Sequence, residues 1–352
     1  MRTTNLPSRI RRGGEETAYR PPAAWEEIWE SKLVGQPSAI RTIRPFVRLF
    51  DAGLSMEGRP AGVFLLLGPT GTGKTRTVEA LAEALHGSEK SLLRIDCGEF
   101  QMEHEVAKLI GAPPGYLGHR ETPPMLTQQK IASVASGRSG LSIVLFDEIE
   151  KAAASMARLL LGVLDKAQLR LGDNTTVNFE RTLIFLTSNL GASNMTKALR
   201  PGFGFEGMMA ESASPGALRP RLEAIALRAV RRKFSPEFLN RIDGTVTYQP
   251  LDRQSFEKVL DLELAAIERH IERRLGARAF RVTVTARARR LLLERGTSVE
   301  FGARELKRTL NRLLLQPLAG LVADERIDPD YGATLDVERG EAVMAPAERR
   351  AA

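Results

Sequence analysis

The 352-residue chain has a single cysteine, Cys97, which excludes an intramolecular disulfide framework and any zinc module built on several cysteines. Its four histidines, His86, His104, His119 and His270, stand at no metal-ligand spacing and read as surface or packing residues. No apolar run reaches membrane-spanning length. The N-terminal arginines Arg2, Arg9, Arg11 and Arg12 are not followed by the apolar core of a secretory signal. There is no internal repeat. These absences lead to the expectation of a cytoplasmic protein with no membrane partner.

What is present is the balance of a globular protein, 43% hydrophobic and 27% charged residues, in a chain long enough for two or three domains. The net charge of +8 would suit nucleic acid, but the arginines are spread along the chain and read as a solvated face. A nucleic-acid partner is therefore not expected. Residues 1–22 are rich in Arg, Gly and Pro and read as a flexible basic tail. Residues 23–249 alternate strand runs (63–67, 92–95, 142–146, 182–187 and 245–248) with amphipathic helices near 75–85, 125–135, 153–166 and 217–233. This is the pattern of a parallel α/β sheet. Residues 191–215 read as a looser surface excursion. A smaller, mainly helical domain follows over 250–344, with one short strand near 280–284, and residues 345–352 read as a disordered tail.

The strongest local signal is Gly68-Pro69-Thr70-Gly71-Thr72-Gly73-Lys74-Thr75, between the apolar run 63–67 and a helical stripe of Val78, Leu81, Ala82 and Leu85. Strand, glycine loop and helix are the setting of a P-loop. Its glycines let backbone N–H groups turn inward as a nest for phosphate oxygens, at the positive end of the following helix. Lys74 supplies a point charge to the outer phosphates and Thr75 a hydroxyl for Mg²⁺. The pattern predicts ATP as ligand.

A second apolar strand ends in Asp147-Glu148. After a P-loop, Asp147 fits the Mg²⁺ shell and Glu148 the general base for water, although two acids can also cap the next helix. The strand 182–187 runs into Ser188-Asn189, where an amide either orients the lytic water or simply ends the strand in a turn. From the residues alone the turn is the preferred reading.

Further segments recur in a fixed order: Val34-Gly35-Gln36, Leu109-Ile110-Gly111-Ala112-Pro113-Pro114-Gly115-Tyr116-Leu117-Gly118, Asp147-Glu148-Ile149-Glu150-Lys151-Ala152, Leu186-Thr187-Ser188-Asn189, Phe238-Leu239-Asn240-Arg241-Ile242-Asp243 and Phe301-Gly302-Ala303-Arg304. In these the chain resembles the AAA+ ATPases of the Clp unfoldase group, and specifically the second ATPase ring of ClpB, ClpA and ClpC, over roughly residues 25–340. The resemblance implies a ring, most simply a hexamer, that hydrolyses ATP and threads protein substrates through an axial pore. It places Asn189 at sensor 1, Arg241 at the arginine finger that reaches a neighbour's γ-phosphate, and Arg304 at sensor 2. Two other readings stay open at this stage: a nucleotide-gated assembly switch for one dedicated partner, and a nucleic-acid motor of the same superfamily.

The resemblance also puts Tyr116 on the loop that lines the pore, where an amphipathic ring suits a sequence-tolerant grip. Beyond it, His119-Arg120 and Pro123-Pro124 stand where the family usually shows acidic residues and glycines. Phe203-Gly204-Phe205, in the excursion, lies where protease-coupled relatives carry a peptidase-docking tripeptide. Its alternative is a hydrophobic anchor that packs the loop onto its own domain.

Overall fold

The computed structural model describes residues 23–111, 123–137, 139–199, 215–298 and 301–347. Tyr116 and the tripeptide Phe203, Gly204, Phe205 lie outside the described residues.

Five parallel strands make the main sheet: β1 (Gly62–Leu67), β2 (Leu93–Asp96), β3 (Ser142–Asp147), β6 (Thr182–Ser188) and β7 (Gly244–Thr247), in the spatial order β2-β3-β6-β1-β7. A short antiparallel hairpin of β4 (Gln168–Arg170) and β5 (Thr176–Asn178) stands beside it. β1, β3 and β6 are buried along their whole length, as their unbroken apolar runs require of strands covered on both faces. Successive side chains point to opposite faces. On one face Val63, Leu65, Leu67, Ile184 and Leu186 meet Met156, Leu160 and Val163 of the helix Ala154–Lys166 and Leu222, Ala226 and Val230 of the helix Pro215–Lys233. On the other, Phe64, Leu66, Leu183 and Phe185 meet Trp29, Ile43, Val47, Val78 and Leu81. Those residues come from the helices Ala23–Lys32, Pro37–Asp51 and Lys74–His86. Phe64 stacks on Phe185 with centroids 5.3 Å apart and meets the edge of Phe46 at 5.1 Å. Each such pair adds about 0.5–1.5 kcal/mol beyond its burial.

The second unit has its own core of Phe256, Leu260, Leu292, Leu306, Leu310, Leu314 and Leu335. Its helices are Arg253–Leu275, Ala286–Gly296, Ala303–Leu310 and Gln316–Ala323, the last two joined by a π turn over Asn311–Leu315. Pro317 sits in the first turn of the last helix, directly after the π turn. The sequence shows one strand here; the structure has three. β8 (Val282–Val284) pairs parallel with β9 (Ala333–Glu338), which pairs antiparallel with β10 (Glu341–Pro346). β10 carries paired backbone through Pro346, past the boundary at 344 where the sequence suggests a disordered tail. The excursion from residue 191 likewise opens as a helix, Ala192–Leu199, held by Met195 in the core.

The two units meet through backbone. Ala303 donates its N–H to Gly71 O at 3.0 Å. A Cβ on Gly71 would lie 2.0 Å from Phe301 O, and one on Gly302 would lie 2.6 Å from Gly71 O. Both residues have positive φ, so only glycines permit this approach. Within the first unit, Gln36 Nε2 donates to Thr72 O at 3.1 Å and Gln249 O at 2.9 Å, tying the glycine loop to the residue where the chain leaves for the second unit.

Candidate nucleotide site

The carboxyl ends of the parallel strands converge at one point, where open α/β sheets place their ligands. β1 delivers the glycine loop, and Gly73, at φ 102°, starts the helix Lys74–His86. β3 ends in Asp147, and β6 lies between the two strands and delivers Asn189 just past its end.

Lys74 is the centre of the cluster. Its side chain is buried, and Nζ donates to Gly68 O at 2.6 Å, Pro69 O at 2.9 Å and Asn189 Oδ1 at 2.8 Å. Burial pushes its pKa down to about 8; Glu150, Asp147 and Glu148 act to raise it, while the Arg304 guanidinium lowers it further. Asn189 passes the link onward: its Nδ2 donates to Glu148 Oε1 at 3.1 Å, and its backbone N–H donates to Glu150 Oε1 at 2.9 Å. Glu148 also pairs with Lys151. Asp147 Oδ1 lies 3.5 Å from Thr75 Oγ1 and accepts from Thr187 Oγ1, and its Oδ2 accepts from Arg94.

Behind the loop, Thr77 ties three elements together. Its carbonyl accepts from Trp29 Nε1 at 3.1 Å and its hydroxyl from Tyr248 Oη at 2.6 Å. Tyr248 N also reaches Leu67 O, which fixes the end of β7 against the root of the glycine loop.

Lys74, Asn189 and Glu148 are thus linked by hydrogen bonds, Thr75 lies beside Asp147, Thr187 joins the two sets, and Arg304 brings its charge to them from the second unit. Arg241 stands apart. Its Nη1 donates to Glu237 O at 2.8 Å, and its Nε lies 3.3 Å from Asp165. Cys97 is fully buried, and burial raises its thiol pKa.

The residues fit a nucleotide and a hard cation. A buried ammonium whose hydrogen-bond partners are all neutral oxygens favours an anion, and a glycine loop leading into a helix N-terminus is a setting that binds phosphate. Thr75 and Asp147 offer hard oxygen donors.

Three participants escape a reading of the sequence. Glu150, Arg94 and Thr187 enter the cluster only because β2, β3 and β6 lie side by side. The one local signal was Thr187 itself, a polar residue directly after the apolar run Leu183–Leu186 of a buried strand.

Comparison with known proteins gives this architecture its family. Residues 59–245 match the model of the AAA domain (Cdc48 subfamily), and residues 251–337 match that of the C-terminal D2-small domain of ClpB protein. The chain belongs to the AAA ATPase family. It is 37% identical to the chaperone protein ClpB of Meiothermus ruber over 329 residues, covering 92% of this chain and 35% of that protein. With the ATP-binding subunit ClpC of the Clp protease of Staphylococcus aureus (strain USA300) it shares 33% identity over 309 residues, 88% of this chain and 36% of the relative. It therefore spans about a third of the length of these relatives. Among solved structures it resembles Hsp104 bound to ATPγS and FITC-casein, with a TM-score of 0.75 at 28% identity over 92% of this chain and 51% of that one. A Saccharomyces cerevisiae Hsp104–casein complex in an extended conformation gives a TM-score of 0.76, again at 28% identity, over 91% and 52% of the two chains. An AAA domain followed by a ClpB-type small domain is the combination this AAA ATPase shares with them.

Proposed function

We propose that this AAA ATPase is a Clp-type motor: a ring, most simply a hexamer, that hydrolyses ATP to thread and unfold protein substrates. The observation that carries the reading is the bridge Lys74–Asn189–Glu148, which links the phosphate-facing cation to the candidate base through one amide. ATP phosphates would take the place that Gly68 O, Pro69 O and Asn189 Oδ1 now occupy around Lys74. Glu148, released toward water, would act as general base. Asn189 would hold that water in line. Thr75 and Asp147 would hold Mg²⁺, which supplies neutralisation of phosphate charge when bound.

One further element of the reaction would come from outside this cluster. Phosphoryl transfer needs a cation on the γ-phosphoryl from outside the P-loop. Arg241, paired with Asp165 away from its own cluster, suits delivery to the next subunit. Hydrolysis would then depend on assembly. Arg304, on the small domain that docks onto Gly71, would report nucleotide state to that domain.

The threading part of the proposal is supported by the ClpB and ClpC relatives and by the likeness to Hsp104 solved with casein. Tyr116 would grip the threaded chain. A peptidase partner engaged by Phe203, Gly204 and Phe205 is a further option of the same motor. Among the described residues no helix is long and apolar enough to cross a membrane. The cytoplasmic location expected from the sequence belongs to the same proposal. The test measures ATPase and unfolding of a tagged client side by side for wild type, Tyr116→Ala and Tyr116→Phe. We expect Tyr116→Ala to lose client unfolding while ATPase changes no more than a few-fold, and Tyr116→Phe to unfold at most of the wild-type rate, since the ring grips rather than the hydroxyl. Wild-type unfolding by Tyr116→Ala would remove threading and favour an assembly switch.

A further inference from the structure

Thr187 lies near the end of β6 and is 1% exposed. The β3–β6 register pairs Phe146 with Leu186, so Asp147 and Thr187 are the next neighbours, at the point where the two strands part. There the backbone changes course. Glu148 enters the left-handed region at φ 57°, ψ 49°, a conformation a non-glycine residue holds only when its surroundings enforce it. The Thr187 hydroxyl supplies that enforcement. It accepts the Glu148 N–H at 2.9 Å and donates to Asp147 Oδ1, using both its capacities at once.

The consequence reaches both acids of the site. Asp147 Oδ1 is the oxygen that lies 3.5 Å from Thr75 Oγ1, so Thr187 sets how that carboxylate faces the metal-side hydroxyl. The captured N–H sets where Glu148 leaves the strand, and hence where its Oε1 meets Asn189 Nδ2. No other described side chain bonds to both residues through a single atom. Asn189 and Lys74 organise the side-chain ends of the cluster, whereas Thr187 organises its backbone root.

We propose that Thr187 is a positioning residue for ATP hydrolysis, its one hydroxyl fixing the metal-side acid Asp147 and the base Glu148 relative to each other. The Thr187 hydroxyl spends its donor on Asp147 and its acceptor on Glu148 N–H, and so acts through the two acids. The inference rests on the hydrolytic reading above.

The substitutions that separate hydroxyl from shape are Thr187→Val, which keeps the volume and loses both bonds, and Thr187→Ser, which keeps the hydroxyl. Three quantities are read on the full chain: steady-state kcat and KM for ATP, the Mg²⁺ half-saturation for binding a fluorescent ATP analogue, and the thermal midpoint. We expect Thr187→Val to lower kcat by at least about tenfold with KM within about threefold of wild type, the pattern of a group needed mainly in the transition state. Its Mg²⁺ half-saturation should rise several-fold, and Thr187→Ser should recover most of both losses. If Thr187→Val does not fold, Thr187→Ala, which opens space instead of setting a methyl against a carboxylate, is read in its place. A Val or Ala variant equal to wild type in kcat and Mg²⁺ response overturns the proposal. So does a Ser variant as impaired as Val, because packing of the β-methyl would then account for the loss. A wild-type chain without ATPase would defeat the hydrolytic reading instead, and the Mg²⁺ half-saturation of Val against Ser would still decide the role of Thr187.

Discussion

The two units of the molecule contribute to the nucleotide site in different currencies. The large domain supplies side chains: Lys74, Thr75, Asp147, Glu148 and Asn189, each delivered by the end of a strand or the start of a helix and each hydrogen-bonded to another. The small domain supplies backbone and one charge: Ala303 N–H on Gly71 O, the close pass of Gly302, and Arg304 felt at Lys74. In the proposed reading the chemistry lies within the first unit, and the second is coupled to it where neither Gly71 nor Gly302 has room for a Cβ. In the proposed motor, the first unit would be the catalytic half and the second a docked lever that converts phosphate state into movement.

The sharpest way to break that division is inside the large domain. Glu148→Gln should keep ATP affinity and lower turnover by about 10²–10⁴-fold, because only the activation of water is lost. Lys74→Ala should instead weaken binding itself. Nucleotide titration and steady-state ATPase of the two variants check this, and equal losses of affinity in both would contradict the assignment.

The joint comes next. Gly302 has φ 53°, and a Cβ there would press on the backbone of Gly71 at 2.6 Å. Gly302→Ala should cost about 1–3 kcal/mol of stability or displace the small domain. The expected readout is a lower thermal midpoint together with ATPase that falls further than nucleotide affinity. Unchanged midpoint and turnover would mean that the lever does not depend on this contact.

Smaller still is the expected effect of removing residues 203–205. ATPase and client binding should persist, and association with a peptidase, if this motor has one, should be lost alone. A fall in thermal midpoint would instead identify the tripeptide as a packing anchor.

The comparison also explains what the sequence could reveal. β1, β3 and β6 are legible because a strand covered on both faces must be apolar throughout, and the glycine loop because phosphate binding needs its spacing. β4 and β5, three residues each with only Leu169 and Val177 buried, carry too little alternation to register. In the small domain, β9 and β10 mix Asp336, Glu338 and Glu341 with Leu335 and Val337, and their pairing is long-range relative to β8. Pro37–Asp51, though strongly amphipathic, lies ahead of the first strand and shows its purpose only where Ile43 and Val47 meet the sheet. In the site, Lys74, Asp147 and Glu148 follow from their own motifs. Asn189, preferred as a turn from its residues alone, lies within reach of both Lys74 and Glu148. Thr187 and Arg94 depend on strand register, which no local pattern encodes.

The central claim is that one chain holds a pocket complete but for a cation that its neighbour provides. Mixing Arg241→Ala with Lys74→Ala tests it most directly, with ATPase measured for each alone and for the equal mixture. Each variant alone should be nearly inactive. In a head-to-tail ring, a Lys74→Ala subunit still offers its Arg241 to an adjoining intact P-loop, so the mixture should regain up to about a quarter of wild-type turnover. A mixture no more active than its parts, or Arg241→Ala hydrolysing ATP at the wild-type rate by itself, would contradict the account.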